Sequence, residues 1–136
     1  MNALPTGVIE TLGPDTSVAD AVARLTAAIE ANDKLRLMAT VDHSAGAASV
    51  DLELPPTIEL IFGNPALGTP LMQAARSAAI DLPQKMVITQ ADAGVRVLHN
   101  DPAYVASRHG IAADMPQLAV TAGALQNLAN VAAGLA

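Results

Sequence analysis

The sequence predicts an α+β fold: one compact domain over residues 1–136, with a largely antiparallel sheet, helices packed on one face and a C-terminal helix. Three observations predict it. Strand-like and helix-like segments follow one another in the order β, α, β, short α, β, α, β, β, short α, α, with no repeat or linker. "QKMVITQ" and "GVRVLHN" flank the short glycine-containing loop "ADAG", which reads as a β-hairpin. Finally, Met115 to Ala136 carries no charged side chain, so its apolar stripes predict a helix packed against protein over much of its circumference.

Taken in order, "GVIETLG" (7–13) is a short strand stopped by Gly13-Pro14. Val18, Val22, Leu25 and Ile29 then recur at helical spacing, with Thr16 or Ser17 placed to cap a helix from about 17 to 31. "LRLMATVDH" alternates, which puts Leu35, Leu37, Ala39 and Val41 on one face of a half-buried strand and, if the strand runs to its end, His43 with them. A short helix is expected over 44–50, and Pro55-Pro56 is a firm boundary. "TIELIFG" is apolar on both faces towards its end, as expected of a central strand. In the following helix Thr69 is read as the cap and Pro70 as the first residue. Asp101, Pro102 and Gly110 bracket a short helix as cap, first position and left-handed terminator.

Composition excludes several functions. Seven Lys and Arg against thirteen Asp and Glu give a formal charge of −6, and the basic residues are scattered. Phe62 and Tyr104 are the only aromatics. Neither clustered phosphate contacts nor stacking platforms can be built from this set, so nucleic acid is not an expected partner. With no cysteine, thiol catalysis and thiolate metal sites are excluded. No segment is apolar enough for a bilayer and the amino terminus lacks a signal-peptide pattern, so no membrane partner and a cytoplasmic location are expected.

"GNPALGTP" (63–70) comes within one residue of a phosphate loop, but Thr69 stands where the lysine belongs and Pro65 and Pro70 lack N–H donors. A rigid strand-to-helix joint is the better reading, with a helix start at Leu71 and Met72 that could receive a small anion. Asp42, His43, Asp101, Tyr104, Arg108 and His109 are the acid/base candidates, and His99 falls on the strand face that Val95 and Val97 share. Their spacing suits no metal chelate, and no metal or other cofactor is expected. Serine hydrolysis lacks a Gly-x-Ser-x-Gly setting.

"VDHSAGA", "LELPPTIELIFGNPALGTPLM", "AIDLP" and "NDPAYVASRHG", in this order, resemble the bacterial and archaeal family called domain of unknown function 302. The resemblance runs from about Gly7 to Ile111. It implies an α+β fold similar in topology to the TATA-box-binding-protein-like class, a homodimer, and no established activity. The family pattern falls on Asp42, His43, Phe62, Gly63, Asn64, Pro65, Pro70, Leu82, Pro83, Asp101 and Pro102, while His99 stands where tyrosine is common and Asp51 where glycine is usual.

Three readings follow. The first is a non-enzymatic dimeric module holding a small organic or anionic ligand near His43, Phe62, Gly63, Asn64, Gly68, Thr69, His99 and Asp101. A second makes the chain an enzyme, with His43 as acid or base beside Asp101 or His109. The third is a structural or interaction module acting through the C-terminal helix.

Overall fold

The computed structural model describes residues 4–135. Five strands, β1 (Val8–Gly13), β2 (Arg36–Asp42), β3 (Thr57–Gly63), β4 (Gln84–Gln90) and β5 (Val95–Asn100), form one sheet in the order β1-β5-β4-β3-β2. Every neighbouring pair is antiparallel. The helices are α1 (Val18–Glu30), α2 (His43–Ala48), α3 (Pro65–Ala74), α4 (Pro102–His109) and α5 (Pro116–Ala133), with a 3-10 turn over Arg76–Asp81. The predicted hairpin is β4–β5, and Gly94 takes a left-handed conformation just before β5 begins.

One face of the sheet is the core. Leu60, Phe62, Met86, Ile88, Val95 and Val97 are buried there beneath α1 and α5, whereas the alternate residues Ile61, Val87 and Leu98 are only half-buried. Small side chains make the close approach possible: Ala21 of α1 and Ala129, Ala132 and Ala133 of α5 all join this cluster. A smaller cluster gathers Leu71, Ala78, Ala106, Ile111 and Leu118, tying α3, the 3-10 turn and α4 to the start of α5. The guanidinium of Arg24 locks the two covering helices together. It donates to the carbonyls of Val131 at 3.0 Å and Ala132 at 2.8 Å, near the C-terminus of α5, where the first already accepts from the Gly134 N–H.

Three expectations are corrected. The first concerns β2, whose alternation breaks at a bulge between Leu37 and Ala39. Leu37 pairs with Phe62 and packs on the core, but Ala39 and Val41 pair with Ile61 and Glu59 and share their opposite face. β2 is also an edge strand, exposed along most of its length rather than half-buried.

Secondly, the strand does not reach His43. Asp42 accepts from the Ala45 amide at 2.9 Å and so caps α2, which makes His43 the first helical residue and leaves it exposed instead of on an apolar face. Hydrogen bonds from the Ser44 hydroxyl and the Ala45 amide hold the Asp42 carboxyl below the usual range.

Thirdly, α3 starts five residues before the expected position. Asn64 is its cap, accepting from Ala66 N–H at 3.0 Å, with Pro65 at the first position and Pro70 inside the helix. Asn-Pro and Thr-Pro are equivalent start signals in sequence; β3 ends at Gly63, and the nearer signal is used. Leu71 and Met72 therefore lie well inside the helix, and the anion site expected at their amides does not exist.

Candidate functional site

The start of α3, the 3-10 turn, the entry to β2 and the middle of α5 line a partly open cavity of about 280 Å³. α3 contributes Leu67, Gly68, Leu71 and Met72; α5 contributes Thr121, Ala124, Leu125 and Leu128. Leu35 and Met38 close it on the β2 side, Met38 being the residue at which the pairing slips. Phe62 is the wall on the sheet side, and Ala79, Leu82 and Pro83 complete the ring.

The chemistry of this wall is nearly uniform. No Lys, Arg, His, Asp or Glu lines it, and the polar contributions are Asn64, Thr69, Thr121 and Gln84. The α3 start offers an anion little: Pro65 has no N–H, Ala66 donates to the Asn64 side chain, and the amides of Leu67 and Gly68 each approach the Asn64 carbonyl at 2.9 Å. Thr121 differs. Its hydroxyl is buried and, among the described residues, has no hydrogen-bond partner. A buried hydroxyl left unpaired costs on the order of 1–3 kcal/mol.

Gly68 is informative for another reason. It sits within α3, where glycine is unfavourable by about 1 kcal/mol against alanine, yet a Cβ there would meet only the Leu82 Cδ1 at 4.0 Å. The absent side chain leaves the cavity open.

Of the sequence-predicted residues, Phe62, Gly63, Asn64, Gly68 and Thr69 all line this cavity. The rest lie elsewhere and do not converge. His43 pairs with Glu59 through Nε2 at 2.7 Å. Asp101 caps α4, accepting from Ala103 N–H at 2.9 Å. His99 is buried on the core face beside Val97, its Nδ1 unpartnered; burial lowers its pKa, against the raising influence of Asp101.

His109 ends α4, a helix away from Asp101, and makes a different constellation. Its Nε2 lies 2.6 Å from Asp81 Oδ2, and its Nδ1 lies 2.8 Å from Ser77 Oγ. Arg108 Nη1 reaches both Asp81 oxygens, at 2.9 and 3.0 Å. Burial opposes ionisation of Asp81, but the His109 hydrogen bond and the Arg108 charge outweigh it and hold the carboxyl below its ordinary range. The sequence reading missed Ser77 and Asp81. No motif marks them, since they meet His109 only through packing of the 3-10 turn against α4. Among the described residues, no three His, Asp or Glu side chains are grouped to hold a metal ion.

The sequence pattern of the domain of unknown function DUF302 matches residues 10–134. The chain belongs to the DUF302 family. A crystal structure of an uncharacterized conserved DUF302 protein from Bacillus stearothermophilus has the same fold, with a TM-score of 0.73 over 96% of this chain and 98% of that one, at 13% identity. Among curated proteins, this DUF302 chain is 39% identical over 110 residues to the fluoride-specific ion channels FluC 1 of Brucella suis and FluC 1 of Brucella abortus. The match covers 79% of this chain but 43% and 40% of those proteins, so the chain spans less than half the length of the curated relatives it matches.

Asp51 has φ 60°, in the left-handed region that glycine occupies without strain. Aspartate is among the few other residues that tolerate it.

Proposed function

We propose that this protein is a binding module for a small, predominantly apolar ligand, held between α3 and α5. The single observation that carries the reading is the cavity of about 280 Å³, whose wall is aliphatic apart from Phe62 and a few neutral polar groups. That volume lies near the lower end of known ligand sites, which suits a short aliphatic or single-ring compound. The uncharged lining argues against the anionic ligand that the sequence left open. Ion conduction is not proposed: the similarity to the channels covers less than half of each, and among the described residues no helix is long and apolar enough to cross a membrane.

The test is a thermal-shift and calorimetric screen of short aliphatic alcohols, amides and aldehydes. Dissociation constants between roughly 10 μM and 1 mM are expected for ligands of this size. Gly68→Leu fills the cavity from the α3 side and improves helix propensity, so binding is expected to disappear while the melting temperature holds or rises. Binding that survives Gly68→Leu would place the ligand elsewhere.

Self-association is a second reading, favoured by the β2 edge. Met38 and Val41 on that strand, with Val50, Leu52 and Leu54 after α2, are exposed apolar side chains beside an unpaired strand edge. Sedimentation equilibrium at tens of micromolar is expected to give twice the chain mass, reduced to the monomer mass by Val41→Lys. A monomer mass for the unaltered chain at that concentration disproves it.

A further inference from the structure

We propose that Ser77 is a nucleophile for acyl transfer, with His109 as its base and Asp81 as the residue that orients the imidazole. The substrate class is a small carboxylic ester or thioester. This inference rests on the 3-10 turn and α4, not on the cavity; Ala79 and Leu82 of the same segment line the cavity, but Ser77 does not.

Hydrogen-bond accounting fixes the proton positions. The ionised Asp81 carboxylate can only accept, so the 2.6 Å contact places a proton on His109 Nε2. In the neutral ring, Nδ1 then carries the lone pair, and the 2.8 Å contact makes it the acceptor for the Ser77 hydroxyl. Nucleophile, base and orienting carboxylate thus stand in series. Their exposure is graded in the useful direction. Ser77 is exposed, whereas the side chains of His109 and Asp81 are 7% and 15% exposed. A tie between the turn and α4 is already supplied by Asp81 with Arg108 and His109. The Ser77 contact adds little to that tie, because an exposed hydroxyl would otherwise bond to water.

The step balances without a redox partner. Ser77 Oγ bonds to the acyl carbon as its proton passes to His109 Nδ1. The bond from the acyl carbon to the leaving oxygen or sulfur breaks, and the leaving alcohol or thiol takes that proton. Water repeats the attack, releasing the acid and restoring the hydroxyl.

A fluorophosphonate probe tests the first half. It forms an Oγ–P bond, expels fluoride and passes the serine proton to His109. Tandem mass spectrometry is expected to find the adduct on Ser77, formed about 100-fold faster than on the exposed Ser49 and Ser107. Ser77→Ala abolishes it, and His109→Gln lowers its rate about 100-fold. Asp81 acts through His109, so Asp81→Asn slows labelling of the folded chain and Asp81→Glu recovers part of the rate; a purely structural tie would move the melting temperature in both and leave the relative rate of Ser77 unchanged. Should His109→Gln not fold, alkylation by iodoacetamide supplies the answer, with Ser77→Cys expected to react about 10-fold faster than Ser107→Cys. Labelling of Ser77 no faster than of Ser49 and Ser107, in folded protein, overturns the proposal.

Discussion

Phe62→Ala is expected to lower the unfolding free energy by about 3–5 kcal/mol. Phe62 is the one buried aromatic side chain and is 1% exposed, on a strand flanked by β2 and β4. Its surroundings cannot collapse to fill the space. The alanines of α1 and α5 already bring those helices close to the sheet, and the side chain also forms a wall of the 280 Å³ cavity. Truncation therefore merges a new void with an existing one instead of closing it. Urea unfolding would show the loss as a lower midpoint at unchanged slope, and a change below about 1.5 kcal/mol would mean that the helices resettle after all.

Gly94→Ala is the second. An added Cβ would lie 2.0 Å from the Gly13 carbonyl oxygen and 2.7 Å from the Pro14 carbonyl carbon. These are backbone atoms at the end of β1 and just beyond it, so no side chain can swing aside; the end of β1 must move, and the Gly13–Val95 pairing with it. With φ at 69°, left-handed strain adds to the clash. A loss of about 3 kcal/mol or more is expected. Gly110 separates the two causes, for its φ is also 69° but nothing lies within 4 Å of its Cβ position. Gly110→Ala should cost only the backbone term, about 1–2 kcal/mol, by thermal unfolding. Equal losses at the two glycines would dismiss the clash.

How legible was this molecule in its sequence? Where one short segment decides, the reading held: the β4–β5 hairpin, and Asp101, Pro102 and Gly110 around α4, have the conformations their residue types demand. β2 failed because a bulge is decided between strands. Nothing in "LRLMATVDH" says that Leu37 and Ala39 will face opposite sides. His43 failed with it, since the strand was carried one residue too far. The cavity was half legible. Asn64 and Gly68 stand out as loop and helix-breaking residues, but the wall from Ala124, Leu125 and Leu128 resembles any other apolar helix face. The Ser77–His109 contact was not legible at all, because it joins residues 32 apart. A search for Gly-x-Ser-x-Gly asks about one local setting of a serine, and Ser77 draws its surroundings from another element.

The Arg24 contacts with Val131 and Ala132 bear on how anything could enter between α3 and α5. They fasten the last turn of α5 to α1, while Thr121 and Ala124, which face the cavity, lie in its first half and Leu128 sits one turn from the clamp. α5 is thus a lever with a fixed fulcrum. Widening the space by moving this helix requires a tilt about its C-terminal turn, in which Met115 and Leu118 must part from Leu71, Ala78, Ala106 and Ile111, so the packing at that end sets how wide the space can open.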